Sequence, residues 1–427
     1  MNILIKNCNL ISMDSSRDKL EKNIDILIKD NKIEKIDRHI DCSCVDKIID
    51  ATNKYILPGF INTHSHIGMS IFRETVDGFI LQDWLEKKIW PIEDNLTEED
   101  IYNSSLLSCA EMIKTGTTTV NDHYFFPESV INAVHTAGMR AEITRVLMDI
   151  GGDLEPRIIE LENLIKNYLN KYDTISINVG IHGFYTASNI CVEKARELAK
   201  KYNLNVHIHF CENSDEVKQI KDRYDVDVPS KVLQKYFYDI NTILAHCVKL
   251  SDNDFNILKN LPIHVSHCPI SNLKLGCGIA NLPKLIENNI DVSLGTDGQG
   301  SGCNLDMFDT MRFVGLLQKG INEDPTLISA YDVLQMATIN GARALNKDSL
   351  IGSIVEGKLA DLIILDLSNI TLQPINDVFS DIVYNAKGTD VITTIINGKI
   401  VMENRKLLTI DENSIIKNCK YILKNLK

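Results

Sequence analysis

The sequence lacks the features that mark membrane-spanning and nucleic-acid-binding proteins. No apolar run approaches the roughly 18 residues that suggest a transmembrane helix. Lysine and arginine do not cluster, and the formal net charge is -13, so the basic surface that binds a nucleic-acid backbone is missing. The segment Met1 to Ser15 alternates apolar and polar residues without the apolar core of a signal peptide. We therefore expect a cytoplasmic protein whose partner is a small molecule, with neither nucleic acid nor membrane.

Three familiar kinds of site are also missing. The eleven cysteines include no Cys-x-x-Cys pair, and Cys42 and Cys44 stand too close together for a structural zinc knuckle. Free thiols in a reducing compartment are the simpler interpretation. Gly357-Lys358 imitates the end of a phosphate-binding loop, but Leu359 replaces the hydroxyl that would bind magnesium. The paired His-x-Glu and Pro-Cys-x-x-Cys motifs of one class of zinc hydrolases are absent too.

Both ends of the chain have the pattern of β structure. Alternating runs flank Asp30-Asn31 near the start and Asn397-Gly398 near the end, and both pairs are plausible hairpin turns. Leu362–Leu365 is a further short apolar strand. We predict one small β domain that is assembled from both termini, residues 1–55 and 356–427.

Between these ends, residues 56–355 alternate short apolar runs with longer amphipathic stretches, which is typical of repeated βα units. One amphipathic stretch begins with a capping box at Thr97 and stops at Gly116, so it predicts a helix. Eight candidate strands are the number that a closed (β/α)8 barrel of the α/β class needs. The candidate strands are Ile56–Thr63, Thr117–Asn121, Arg140–Val146, Ser176–Ile181, Asn205–His209, Thr242–Ala245, Ile263–Ser266 and Asp291–Gly295.

Polar side chains follow strand after strand of this predicted barrel. Catalytic groups of a (β/α)8 barrel lie at the carboxyl ends of its strands, where the loops meet. Eight of the eleven histidines fall at such positions, together with two aspartates. In strand order, these residues are His64, His66, Asp122, His123, His182, His207, His209, His246, His267 and Asp297.

His64-Ser65-His66 suggests a metal centre. Its period-2 spacing points both imidazoles to the same side of a strand. Two neutral imidazoles on one face suit a zinc-like cation, which a third histidine and a carboxylate would complete. An isolated His-x-His motif is equally compatible with core or solvated histidines, but the other polar strand ends favour the metal site.

Together with Gly295-Thr296-Asp297-Gly298, these residues resemble the amidohydrolase superfamily. The chain is similar to the branch of 5-methylthioadenosine/S-adenosylhomocysteine deaminases and related chlorohydrolases, over nearly its whole length. The resemblance implies a barrel with a small β-sandwich from both termini, and a possible homo-oligomer. It implies metal-dependent deamination of an adenosine-type nucleoside to the inosine analogue and ammonia. The alternatives are hydrolysis of another heterocycle (guanine, a pterin, cytosine or a triazine) and a metal-free binding protein on the same scaffold.

The resemblance also implies the metal centre and its chemistry. The implied metal ligands are His64, His66, His209 and Asp297. Zinc is expected, while iron, manganese and nickel accept the same donors. His182 stands where bimetallic relatives carry a bridging lysine, so one metal ion per chain is expected. His207 is expected to be structural.

Three residues are implied in catalysis beside a metal that lowers the pKa of bound water to about 7. Asp297 would accept a hydrogen bond or a proton from that water. Glu212, the end of a His-x-x-Glu pattern, would carry a proton to the ring nitrogen. His246 would hold the water or the tetrahedral oxygen.

The implied substrate-binding residues are Trp84, Glu93, Arg145, Arg157 and His182. Trp84 would pack on the ligand and Glu93 would accept hydrogen bonds from the ribose hydroxyls, although a core tryptophan and a solvated glutamate are an equally simple alternative. Arg145 and Arg157 would grip a carboxylate on the substrate tail, and His182 would contact the purine. The loop around His182 lacks the family's prolines, and the glycine-rich segment 298–304 also departs from the family pattern.

Overall fold

Two sheets organise the fold. The computed structural model describes residues 1–41, 43, 45–73 and 78–426, so Cys42 and Cys44 lie outside the described residues. The strands are β1 (Ile3–Leu10), β2 (Glu21–Lys29), β3 (Lys32–Asp37), β4 (Lys47–Asp50), β5 (Tyr55–Pro58), β6 (Phe60–Ser65), β7 (Thr117–Asp122), β8 (Arg140–Leu147), β9 (Ile175–Gly183), β10 (Val206–Phe210), β11 (Thr242–His246), β12 (Ile263–His267), β13 (Asp291–Leu294), β14 (Leu362–Leu365), β15 (Val391–Ile396), β16 (Lys399–Glu403) and β17 (Lys406–Leu407).

The larger sheet is the predicted barrel. Strands β6 to β13 are parallel and each pairs with the next in chain order. Hydrogen bonds bring the first and last strands together, because Thr63 Oγ1 donates to the Leu294 carbonyl (2.9 Å) and the Asp297 N–H donates to the His64 carbonyl (3.0 Å). The carboxyl ends of the eight strands therefore meet at one rim.

Seven of the eight predicted barrel strands are confirmed to within two residues, but the first was wrong. Ile56–Thr63 is two strands, because β5 joins the terminal sheet and only β6 joins the barrel. The switch occurs at Gly59, where an added Cβ would collide with the Thr118 side chain. The Gly59 N–H donates to the Asp361 carbonyl, next to β14 of the terminal sheet. The following N–H, that of Phe60, donates to a carbonyl directly before the barrel strand β7.

The second sheet confirms that both termini contribute to one β unit. Its order is β17-β16-β15-β14-β5-β1-β2-β3, with β4 beside β1. The two predicted hairpins are present as β2–β3 and β15–β16, and Asn397 and Gly398 adopt the positive φ values of 50° and 72° that their turn requires. A separate apolar core, which includes Ile3, Ile26 and Leu362, supports this sheet. The domain limits at residues 55 and 356 stay a prediction.

Helices cover the outside of the barrel. The capping box predicted at Thr97 is present, with the Asp100 N–H donating to Thr97 Oγ1 (3.2 Å) and the Thr97 N–H to Asp100 Oδ2 (2.9 Å). The helices are α1 (Leu81–Trp84), α2 (Trp90–Glu93), α3 (Glu98–Lys114), α4 (Pro127–Ala137), α5 (Leu154–Tyr168), α6 (Asn189–Tyr202), α7 (Ser214–Tyr224), α8 (Ser230–Tyr236), α9 (Asp252–Leu258), α10 (Pro269–Lys274), α11 (Leu282–Glu287), α12 (Gln299–Gly302), α13 (Met307–Asn322), α14 (Ala330–Met336), α15 (Ile339–Ala344), α16 (Val378–Ser380) and α17 (Glu412–Asn425). Within the described ranges, none is long and apolar enough to cross a membrane.

A buried ion pair joins the barrel to the terminal sheet. Arg140 begins β8 and Asp361 directly precedes β14. The guanidinium donates from Nε to Asp361 Oδ2 (2.6 Å) and from Nη2 to Oδ1 (3.2 Å), while both side chains are less than 5% exposed. Asp361 Oδ1 also accepts from the Asn397 N–H (2.6 Å), so the pair fixes the turn between β15 and β16 as well.

Asp361→Asn should destabilise the protein by about 3 to 5 kcal/mol, because it leaves the Arg140 charge buried without its partner. We expect a clear fall in the melting temperature by calorimetry. The matched control is Asp227→Asn, which breaks an ion pair with Lys231 whose side chains are 67% and 47% exposed. Equal melting temperatures for the two variants would contradict a bridging role for the Arg140–Asp361 pair.

Candidate active site

A cavity lined by apolar side chains and a few polar groups opens at the rim where the barrel strands end. Such a lining is typical of a small-molecule site. His64 lies beneath it, fully buried, while Arg145 and Arg157 are absent from its described lining. Eight of the predicted site residues line the cavity: His66, Trp84, Glu93, His182, His209, Glu212, His246 and Asp297.

Four predicted ligand side chains from three strand ends converge. His64 lies on β6 and His66 directly follows that strand, with their Nε2 atoms 3.5 Å and 3.1 Å from Asp297 Oδ1. His209, on β10, places its Nε2 atom 3.3 Å from that of His66. Asp297 follows β13 and is held by Ser271 Oγ, which donates to Oδ2 (2.6 Å), so its orientation is fixed.

The hydrogen bonds of two imidazoles decide their tautomers. The Nδ1 atoms of His66 and His209 each contact a backbone carbonyl, of His123 and His182 respectively, the latter at 2.6 Å. A carbonyl can only accept, so each Nδ1 carries a proton, and each Nε2 presents a lone pair whenever its ring is neutral. Two lone pairs 3.3 Å apart repel unless a cation lies between them.

His64 completes the donor set. Its Nδ1 atom lies 2.9 Å from His207 Nε2, and its own Nε2 atom is buried with no hydrogen-bond partner in the described parts of the chain. Burial lowers the pKa of His64 to about 3, which keeps the ring neutral and able to coordinate. Three imidazoles and one carboxylate fit a zinc-like ion. Donor atoms lie within 4.8 Å of one another in two overlapping groups, which are His64 with His66 and His209, and His64 with His246 and Asp297.

Glu212 and His246 lie beside this cluster. Glu212 Oε1 is 3.9 Å from His246 Nδ1 and accepts from Cys277 Sγ (3.6 Å). His246 Nδ1 also contacts Asn272 Oδ1 (2.8 Å), which orients the ring. Burial raises the pKa of Glu212, so its carboxyl group holds a proton at higher pH than a solvated glutamate.

The cavity wall carries the other polar groups that the sequence predicted. Trp84 is 5% exposed and lies in the wall at the end of α1. Glu93 Oε1 accepts from the Tyr124 hydroxyl (2.5 Å), and burial raises the pKa of Glu93. His182 Nδ1 lies 3.0 Å from Thr186 Oγ1, and burial lowers the pKa of His182 to about 4, so its ring is neutral near pH 7.

Both predicted tail-binding arginines have other partners. Arg145 donates from Nε to Glu160 Oε2 (2.5 Å) and from Nη1 to the Val146 carbonyl (2.8 Å). The ring of Phe125, which lines the cavity, is 5.4 Å from the Arg145 guanidinium carbon. Arg157 donates to the Met148 carbonyl.

Sequence reasoning missed several supporting residues. Tyr124 binds Glu93, and Ser271 and Asn272 orient Asp297 and His246. The sequence carried one signal for them, since both Ser271 and Asn272 closely follow the polar end of the seventh strand. Tyr124 was detectable only as the neighbour of a strand end.

Comparison with known proteins agrees with this geometry. Residues 55–401 match the model of the Amidohydrolase family. The chain belongs to the amidohydrolase family. It is 41% identical to the 5-methylthioadenosine/S-adenosylhomocysteine deaminase of Acetivibrio thermocellus over 100% of both chains, and 42% identical to the 5'-deoxyadenosine deaminase of Methanocaldococcus jannaschii over 89% of this chain and 91% of that one.

Solved structures are similar along the whole chain of this amidohydrolase. An adenosine deaminase from Xanthomonas campestris with bound zinc has a TM-score of 0.93 at 28% identity, covering 99% of this chain and 98% of that one. The atrazine chlorohydrolase of Arthrobacter aurescens TC1, complexed with zinc, has a TM-score of 0.92 at 23% identity, covering 99% and 100%, and shows the fold alone. Amidohydrolases depend on a metal, and the His/Asp cluster is a fitting place for it.

We expect His209→Ala to lose most of its metal, because one of the converging donors disappears. His207→Ala should bind metal on the order of 10- to 100-fold more weakly, because His64 loses the ring that orients it. Metal content after dialysis against a graded chelator, by inductively coupled plasma mass spectrometry, checks both. The control is His135→Ala. His135 lies on the barrel helix α4, where its ring stacks on Tyr172. Metal loss equal to that of the control would contradict the assignment.

Proposed function

We propose that this amidohydrolase deaminates an adenosine-type nucleoside hydrolytically, giving the inosine analogue and ammonia. The observation that carries the proposal is that one cavity brings three groups together. These are the imidazole and carboxylate cluster, the buried Glu212, and Glu93, whose carboxylate can accept hydrogen bonds from a diol. The names of the relatives that are about 40% identical, which are deaminases of 5-methylthioadenosine, S-adenosylhomocysteine and 5'-deoxyadenosine, support the same chemistry.

The proposed metal is one divalent cation per chain, with zinc as the first choice. His64, His66, His209 and Asp297 would hold it. When bound, such an ion supplies a water of lowered pKa as the nucleophile at neutral pH. The zinc bound to the adenosine deaminase from Xanthomonas campestris supports the choice of metal.

Glu212 is the proposed proton carrier. Cys277 donates to Oε1, so the proton is placed on Oε2, from which it passes to the ring nitrogen beside the carbon under attack. The protonated ring makes that carbon electrophilic, water adds to it, and the amino group leaves as ammonia after receiving a proton. Water supplies the new ring oxygen and two hydrogens: one is gained by the departing ammonia, and the other replaces the proton that Glu212 gave to the ring nitrogen.

His246 and Asp297 are proposed to handle the attacking water. Because His246 contacts Asn272 through Nδ1, its Nε2 atom is left to hydrogen-bond the water or the new oxygen on the ring carbon. Asp297 receives hydrogen bonds from Ser271 Oγ and the Gly298 N–H, so its carboxylate stays in place when it accepts a proton.

The remaining wall residues are proposed to bind the nucleoside. Glu93 can accept two hydroxyl hydrogen bonds from a ribose diol while Tyr124 fixes its orientation. Trp84 offers an apolar face to the ligand, and the neutral ring of His182 offers a hydrogen bond to the purine.

The carboxylate of Glu160 competes with a charged substrate tail for Arg145. Arg145 and Arg157 remain our proposed partners for a carboxylate on the 5' substituent, but Glu160 already binds Arg145. S-adenosylhomocysteine must displace that carboxylate, whereas 5'-deoxyadenosine and 5-methylthioadenosine have no charged tail. We therefore propose that the uncharged nucleosides have the lower KM.

Glu212→Gln should lower kcat/KM by about 100- to 10,000-fold, because an amide cannot shuttle the proton. Turnover is followed by the adenine-to-hypoxanthine absorbance change, and bound metal is measured in the same sample. The exposed Asp215→Asn is the control on the neighbouring helix turn. Near-normal turnover by metal-loaded Glu212→Gln would contradict the mechanism. No turnover of any nucleoside by metal-loaded wild type would instead favour the other amino-heterocycles.

Glu160→Gln should lower KM for S-adenosylhomocysteine by up to about fivefold, the effect of removing a competing ion pair of about 1 kcal/mol. KM for 5'-deoxyadenosine should stay constant, because that substrate carries no tail charge. Steady-state kinetics on both substrates check this. Glu162→Gln, on the same helix but paired with lysines, is the matched control. An unchanged ratio of the two KM values would argue against Arg145 as the tail partner.

A further inference from the structure

Glu216 is a buried carboxylate that no step above uses. It lies in the first turn of α7, four residues after Glu212, and is 3% exposed. Both of its oxygens accept backbone hydrogen bonds: Oε1 from the Cys211 N–H (2.9 Å) and Oε2 from the Glu212 N–H (2.7 Å). The side chain therefore binds the peptide that carries the catalytic glutamate.

The peptide at Cys211 needs such support. Strand β10 ends at Phe210, and Cys211 adopts a φ of +53°, in the left-handed region that non-glycine residues occupy only when neighbouring contacts hold them. The turn takes the N–H groups of Cys211 and Glu212 out of the strand ladder in a buried place. Without the Glu216 carboxylate, two buried donors would lose their acceptor.

Further hydrogen bonds fix both the start of α7 and the turn at Cys211. The Glu216 N–H donates to Asn213 Oδ1 (2.8 Å), the cap of α7, so the helix start holds the carboxylate. On the other side, the Lys249 N–H donates to the Cys211 carbonyl (2.8 Å), which ties the same turn to the loop after β11. The turn has little freedom to rotate.

The carboxylate lies beside one buried neighbour of like charge, Glu212. Among the described residues, the ion pairs of the structure include none to Glu216, and Glu212 lies beside it. Burial and the charge of Glu212 raise the pKa of Glu216 to about 7. A leucine or methionine would suit the packing alone, so the polar group serves the peptide that it binds.

We propose that Glu216 is a positioning residue for the reaction. It holds the Cys211–Glu212 peptide so that the Glu212 side chain points into the cavity, and it touches neither the substrate nor the metal ligands. The inference rests on the proposed function, since it gives Glu216 its role through the proton carrier Glu212.

The variant Glu216→Gln tests the proposal. Its amide keeps one acceptor but turns an N–H donor towards the second backbone N–H, so the turn loses a bond and gains a repulsion. We expect kcat to fall on the order of 10- to 100-fold, the effect of a misplaced catalytic group, while KM and metal content change little. Glu216→Asp keeps both acceptors on a shorter arm and should restore part of kcat. Asp215→Asn removes a charge from the same helix turn and should behave as wild type.

Two further measurements separate positioning from general stability. Hydrogen exchange by mass spectrometry should show faster exchange of a peptide covering 207–213 in Glu216→Gln than in wild type or Asp215→Asn. In a double-mutant cycle, Glu212→Gln with Glu216→Gln should lose no more kcat than Glu212→Gln alone, because both changes disable one group.

Three outcomes would overturn the inference: additive losses in the cycle, unchanged exchange at 207–213, or a Glu216→Gln variant with wild-type kcat. If Glu216→Gln does not fold, Glu216→Asp carries the exchange and cycle measurements. Wild type that deaminates no nucleoside would refute the proposed function, whereas the exchange measurement would still decide whether Glu216 anchors the turn.

Discussion

The lone pairs of converging imidazoles are the constraint on which the site depends. His66 and His209 donate from Nδ1 to backbone carbonyls of residues at neighbouring strand ends, so the barrel backbone itself selects the nitrogen that faces the cavity. A ring flip would place an N–H against its neighbour and lose the carbonyl bond. The donor set is thus a consequence of strand pairing, and any change that shifts one strand end disturbs the ligands on the next.

Backbone turns at the rim also help to place the functional side chains over the barrel. Cys211, His246, Cys247 and Asp297 all have positive φ although none is glycine. The first three stand at or directly after a strand end, and Asp297 follows three residues after one. Such turns lead the chain away from the barrel while the functional side chain still points over it. Neighbouring side chains bind the residues at some of these turns, Ser271 the carboxylate of Asp297 and Asn272 the imidazole of His246. The rim therefore combines unusual backbone turns with side-chain contacts that fix the functional groups.

The sequence predicted the barrel well because buried parallel strands are short apolar runs. It predicted that polar side chains would gather at one rim because they sit at the ends of those runs, whereas the ligand set came from the family resemblance and stays a prediction. It misplaced the first strand because the local pattern continues through Gly59, whereas the change of sheet depends on partners some 60 and 300 residues away. The sequence also could not predict which way the Arg145 side chain points. Its choice of Glu160 is a contact between two elements, and no spacing within either element encodes it.

The charged residues around the cavity fit a neutral ligand better than an anionic one. Its described lining holds three carboxylate residues, Glu93, Glu212 and Asp297, and contains no lysine or arginine. An anion such as a 5'-phosphate would lie among like charges in a partly desolvated space, where the repulsion is stronger than in water. A nucleoside avoids this repulsion and presents hydroxyl donors to Glu93. Because Arg145 is paired with Glu160 behind Phe125, its guanidinium does not offset the carboxylates until that ion pair opens.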